Sequence, residues 1–252
     1  MQFKDYFSAH SDEYARRRPH YPPDLFQYLA SVTHEHELAW DCGTGNGQAA
    51  RGLALYFDRV IATDPSPDQL RNAFVHPKIE YKEARAEDSG IETASLDLIS
   101  VAQALHWFDM DRFYTEAHRT LKPGGVLAVW AYALCRTTPG IDRIIDHFYY
   151  ETVGPYWPRE RKHVDDGYRS LPFPFNEFEH PNFEIELRWD LDDMLGYLRT
   201  WSPTRRYIEV HGQDPVNLVE PALAEAWPNR AERKRILFPL YMRIGRNPLA
   251  HP

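Results

Sequence analysis

Ala39-Trp40-Asp41-Cys42-Gly43-Thr44-Gly45-Asn46-Gly47 joins a short apolar strand to three alternating glycines and then to a helix. That order is the form of a nucleotide-cofactor turn. Glycine takes positive φ without penalty and, lacking Cβ, lets the backbone approach a ligand. A helix opening near Gln48 would direct unpaired amides and a positive dipole end at a bound carboxylate or phosphate. Beyond a helix read from Ala49 to Phe57, the apolar strand Arg59-Val60-Ile61-Ala62-Thr63 ends in Asp64. This acid lies about 20 residues past the glycines, where nucleotide folds place a ribose-binding carboxylate. Ser66 as N-cap, Pro67 at N1 and Gln69 at N3 then predict a new helix with a capping box. Asp64 thus sits on a strand-to-helix corner that faces the ligand crevice of a parallel sheet. Taken without the glycines upstream, it reads equally well as a solvated loop acid.

The glycines do not by themselves name the nucleotide, because Gly45, Gly47 and Ala50 also satisfy the GxGxxA pattern of dinucleotide folds. The acid before them discriminates. A pyrophosphate would be repelled by Asp41, whereas the α-ammonium of a methionine moiety would pair with it. S-adenosylmethionine carries that ammonium and NAD does not.

Further segments carry a family likeness. They are Tyr14-Ala15-Arg16-Arg17-Arg18-Pro19-His20-Tyr21-Pro22, the glycine turn with Asp64, Ala86-Glu87, the run from Leu96 to Phe108 that ends Gln103-Ala104-Leu105-His106-Trp107-Phe108, and Arg119 to Gly125. Together they resemble class I S-adenosylmethionine-dependent methyltransferases, and within them the small-molecule group that includes trans-aconitate methyltransferases. The likeness covers residues 10 to 131 and is thin beyond, with an echo at Leu198 to Ser202. It implies a Rossmann-like, doubly wound α/β fold with a mostly parallel seven-stranded sheet, an antiparallel last strand, and residues 10–30 covering the cofactor. It also implies that Asp41, Gly43, Thr44, Gly45 and Gly47 line the methionine end, with Arg18 also at the cofactor. Asp64 and Pro65 would lie at the ribose, Ala86 and Glu87 at adenine, and Gln103 over the methionine. Many relatives have an acid before the adenine-facing alanine. Here that position is Arg85, which leaves adenine to Glu87, Asp88 or backbone.

Strands are expected near 37–41, 59–63, 79–82, 96–101 and 126–131, alternating with helices, which argues for a parallel sheet. The helix Met110 to Leu121 is expected to stop at Lys122-Pro123-Gly124-Gly125. Residues 133–180 mix prolines, glycines and aromatics, and only Ile141 to Thr152 is clearly periodic. An insertion after a strand's carboxyl end would lie over the crevice as a substrate lid, or would simply pack there. Phe183 to Trp189 alternates at period two; helices follow from Asp190 to Trp201 and from Asp214 to Trp227, and a last strand runs over 235–245. Pro239 within that strand calls for a bulge or an outward-facing position.

A chain of 252 residues suits one α/β domain over its whole length. The net charge of −8, with no basic tract longer than Arg16-Arg17-Arg18, argues against a nucleic-acid partner. No apolar run is long enough to span a membrane and the start resembles no signal peptide, so a cytoplasmic monomer or weak homodimer is expected. Two cysteines fit a reducing compartment, and the twelve histidines show no zinc-type spacing, so no metal is expected.

Methyl transfer from a sulfonium needs alignment and exclusion of water more than covalent help. The acceptor would be a small molecule methylated at oxygen, with a carboxylate as one candidate. A carboxylate is already ionised at neutral pH, while an alcohol would profit from a base. His106, three residues past Gln103, is the candidate catalytic residue, as a base, a donor or a structural partner. Tyr21, Trp107 and Trp201 are candidate substrate contacts, and Arg205 and Arg206 could clamp a substrate carboxylate. A dinucleotide-dependent oxidoreductase and a cofactor-binding protein without turnover remain the alternatives.

Overall fold

The computed structural model describes residues 19–248. Helix α1 (Pro23–Ser31) precedes β1 (Leu38–Cys42), α2 (Gln48–Leu53), β2 (Arg59–Asp64), α3 (Pro67–Arg71) and β3 (Ile79–Glu83). The chain continues through β4 (Leu96–Ala102), α4 (Met110–Thr120) and β5 (Leu121–Tyr132). Beyond β5 lie α5 (Pro139–His147), α6 (Arg161–Asp165), the short β6 (Asn176–Glu177) and β7 (Phe183–Trp189). Helices α7 (Leu191–Arg199), α8 (Ser202–His211) and α9 (Val216–Ala226) lead to β8 (Lys234–Arg246).

The strands form one sheet in the order β3-β2-β1-β4-β5-β8-β6, with β7 also paired to β8. The first five are parallel, as expected of strands joined by helical crossovers. β8 runs antiparallel and changes partner along its length: Lys234 to Leu240 pair with β7, and Leu240 to Arg246 with β5. Side chains alternate between two cores. Ala39, Val60, Leu98 and Ala128 face one side with α1 and α2, while Trp40, Ile99, Val101 and Val129 face the other with Phe113 and Ala117 of α4.

Several local expectations change. Lys122 to Gly125 do not separate helix from strand. β5 already begins at Leu121, opposite Leu96, and the Pro-Gly-Gly stretch is absorbed as a register shift before Val126 pairs with Leu98. Ser66 does accept from the Gln69 amide at 3.4 Å, whereas a reciprocal capping box is formed at α7, between Asp190 and Asp193. Pro239 lies in regular register opposite the exposed Glu184, so the outward-facing position holds and no bulge is needed. The helix expected through Thr152 ends at His147 and continues as a single π turn, Phe148–Thr152. Among the described residues no helix is long and apolar enough to cross a membrane.

Neighbours β1 and β4 lie where the strand order reverses, the point at which open α/β sheets bind ligands beyond the strands' carboxyl ends. The glycine turn, Asp64 and Gln103 all stand on that edge.

Candidate active site

The glycine turn is held down by β2. The Gly43 and Thr44 amides both donate to the Thr63 carbonyl at 2.9 Å. Gly43, Gly45 and Gly47 have φ of 70°, 57° and 85°, a region that residues with Cβ adopt only at a cost. Space reinforces the requirement at two of them. A Cβ at Gly43 would stand 2.7 Å from the Ala104 methyl, and one at Gly47 would strike the Tyr81 hydroxyl.

Asp41 is fully buried, and both its oxygens are used within the protein. One accepts from Thr44 Oγ1 at 2.6 Å and from the Ala50 amide at 3.0 Å; the other accepts from Ser100 Oγ at 2.7 Å. Burial raises its pKa, against the pull of these three donors. Asp41 thus ties the turn to α2 and β4. Asp64, nearly buried at the end of β2, accepts from the Gly45 amide and the Ser66 amide, each at 2.9 Å. Pro65 lies half-buried at the same corner. Ala86 is buried, and the neighbouring Glu87 carboxylate accepts from the Asp109 amide at 2.9 Å, fixing the start of α4.

Gln103 follows β4 with φ of 59°, and its amide donates to the Trp130 carbonyl of β5. Its side-chain nitrogen is buried and meets no hydrogen-bond partner among the described residues. A strained backbone together with an orphaned donor is the sign of a group held ready for something else.

Gln103 opens onto a cavity walled by His106, Trp107, Tyr149, Trp157 and Trp201, among others, with Arg161 as its cation. Among the described residues no carboxylate is part of its lining. His106 Nδ1 lies 3.1 Å from the hydroxyl of the fully buried Tyr168. That phenol has no other partner among the described residues, so its O–H is best read as donating to Nδ1, which leaves the neutral imidazole with its own proton on Nε2 as a donor. Burial, then the charges of Arg161 and His163, push the imidazole down to about 3, so it is neutral at physiological pH and a poor base. Of the three roles expected of His106, this geometry favours donor and structural partner over base.

The cavity's cation is one that sequence reasoning missed. Arg161 Nε donates to Tyr149 Oη at 2.6 Å and to Asp165 Oδ1 at 3.2 Å, and Tyr149 donates to the same Asp165 oxygen at 2.6 Å. The guanidinium lies 4.6 Å above the Trp157 ring centre. Arg205 and Arg206, expected as the clamp, stand on α8 and neither lines the cavity; Arg206 donates instead to the Tyr156 carbonyl at 3.0 Å. Trp201 is buried and packs edge-on to Tyr149 and Tyr197. Tyr21 packs edge-on to Trp130, outside the cavity lining. Arg18 and residues 10–17 of the expected covering segment lie outside the described residues.

Comparison with known proteins bears directly on this geometry. A family profile described as a methyltransferase domain matches residues 40–129, from the glycine strand into β5. A Dictyostelium discoideum protein provisionally named a methyltransferase is 34% identical over 97% of this chain and 96% of its own. The chain belongs to the class I S-adenosylmethionine-dependent methyltransferases. A solved structure from Anaeromyxobacter dehalogenans, provisionally described as a type II methyltransferase, superposes with a TM-score of 0.87 at 45% identity, covering 92% of this chain and 99% of that one. A Saccharomyces cerevisiae protein provisionally described as an S-adenosylmethionine-dependent methyltransferase is 32% identical over 51% of this chain and 46% of its own.

The residues present fit the methyltransferase cofactor. The glycine turn is a cradle that side chains would fill, and beside it the Gln103 side-chain amide is a donor without a partner among the described residues. The family assignment displaces the dinucleotide-dependent oxidoreductase reading.

Proposed function

We propose that this methyltransferase acts on a small molecule at oxygen, and that the accepting oxygen belongs to a carboxylate. Asp64, with Pro65, would hold the ribose, the backbone at Ala86 and Glu87 would meet adenine, and Gly43 to Gly47 with Gln103 would surround the methionine end. When bound, S-adenosylmethionine supplies an electrophilic methyl on a sulfonium sulfur, so an acceptor oxygen gains a C–O bond as the C–S bond breaks and its electron pair stays on sulfur.

One observation carries the choice of acceptor: among the described residues the cavity offers donors and a cation but no base. Among the described residues it has no carboxylate in its lining, and its imidazole is held neutral with a basicity far below that of an ordinary histidine. An alcohol or phenol has a proton to lose as it is methylated and would need such a base. A carboxylate, ionised above pH about 4, has none to lose. An amine substrate would bring an ammonium toward Arg161, which repels it. His106 then serves as a neutral Nε2–H donor that orients the acceptor, Trp107 and Trp201 shape its path, and the segment 133–180 is the lid that excludes water.

Methyl transfer from labelled S-adenosylmethionine, run against a panel of carboxylic acids, phenols and amines, tests this reading. Turnover confined to acids supports it. Turnover of phenols or amines with no acid accepted refutes it.

A further inference from the structure

Arg161 is an arginine with only one of its five side-chain N–H donors engaged. Nε is committed to Tyr149 and Asp165, which fixes the plane of the guanidinium, and Trp157 supports its face. The two terminal NH2 groups have no hydrogen-bond partner among the described residues, although the side chain is only 20% exposed. A guanidinium mostly withdrawn from water, with its terminal edge open, gains when an anion completes it. Asp165 does not fill that place, since its contact is through Nε alone. We propose that the terminal edge of Arg161 is an anion site that takes, in bidentate fashion, the carboxylate of an acid with a flat, unsaturated or aromatic body.

The shape of the ligand follows from what surrounds the edge. Trp157, Trp201, Tyr149 and Tyr197 line the same cavity with ring surface. Such walls accept a planar apolar body and leave Arg161 and the Gln103 and His106 donors to fix its polar end. Because Nε is pinned, the fork is already oriented and little side-chain freedom is lost on binding. That the bound carboxylate is also the methyl acceptor rests on the reading above. If it is, transfer turns an anion into a neutral ester, the ion pair with Arg161 disappears, and product is released for an electrostatic reason.

The test is calorimetric titration of the full chain saturated with S-adenosylhomocysteine. Cinnamate and benzoate are the probes, and cinnamamide and benzamide are their neutral isosteres. Wild type should bind at least one acid, and bind its amide about 10- to 100-fold more weakly, the scale of a charge-assisted pair. Arg161→Gln should lose about as much toward the acid while keeping its affinity for S-adenosylhomocysteine, which reports an intact fold. Arg161→Lys should fall between, having charge without the fork. Amides that bind as well as acids, a wild type that binds neither acid, or an Arg161→Gln protein that keeps both affinities would overturn the proposal. Should Arg161→Gln fail to fold, phenylglyoxal labelling of wild type decides: slowed modification of Arg161 by acid but not amide supports the site, and equal modification overturns it. Methyl label recovered on a phenol or amine, with Arg161 still protected by acids, would sink the carboxylate-acceptor reading alone.

Discussion

Replacing Gln103 by glycine should stabilise the ligand-free protein while harming its function. The backbone at Gln103, φ 59°, lies in the left-handed region, where a residue with Cβ costs about 1–2 kcal/mol. Removing the side chain also removes a buried donor that has no partner among the described residues, which relieves about 1–3 kcal/mol. Against this stand about 0.5–1 kcal/mol of added chain entropy for glycine and about 0.8 kcal/mol for each buried methylene lost. Taking the middle of each range leaves a net gain of about 1 kcal/mol, or about 2–4 °C in melting temperature for a chain of this size. The cost appears when the cofactor is bound, because the amide that should close over the methionine is gone. Differential scanning fluorimetry with and without S-adenosylhomocysteine reads both effects. The variant should melt higher alone and gain less from ligand than wild type. A variant that melts several degrees lower alone and gains as much as wild type would refute the argument.

Gly43→Ala combines φ of 70° with a Cβ placed 2.7 Å from that of Ala104; it should lose about 2 kcal/mol or more in urea unfolding, and S-adenosylhomocysteine should bind it more weakly. Glu116 is held down to about 2 against the opposing effect of burial, by hydrogen bonds from Arg119 and Ser89. Its folded value lies below its unfolded one, so its contribution is full above pH 4.5 and is lost as pH falls toward 2. Glu116→Gln should therefore cost about 3 kcal/mol at pH 7 and progressively less below pH 4.5, and an equal loss at pH 7 and pH 3 would count against this. His106, pushed down to about 3, should leave single-turnover methyl transfer flat from about pH 6 to 9, and His106→Gln should cost less than about tenfold, since glutamine preserves a donor. A rate that climbs through an apparent pKa near 6.5 would restore His106 as a base.

What could be read from the sequence was whatever the chain encodes within a few neighbouring residues. The β1–turn–α2–β2 unit announces itself through three glycines and Asp64, and Ser66-Pro67 starts its helix where expected. Asp41 was found but its tie to Ser100 was not, because Ser100 lies 59 positions away and the hydrogen bond between them depends on β1 pairing with β4. Arg161 was missed for the same physical reason. It lies on a five-residue helix in an aromatic- and proline-rich stretch, and only the packing of that stretch against Tyr149 and Trp157 makes it a cavity residue. Arg205 and Arg206 drew attention as an adjacent pair, yet they sit on α8, a helix whose first residue follows the end of the helix expected there. His106 lines the cavity beyond β4, but its protonation depends on Tyr168, Arg161 and burial, none of which its own sequence context reports.

The most direct test of the central claim is the chemical form of the transferred methyl group. With methyl-labelled S-adenosylmethionine and an accepted small molecule, the product should release its label as methanol under mild alkali, the behaviour of a carboxylate ester. Label that survives alkali as an ether or an N-methyl group would contradict the account.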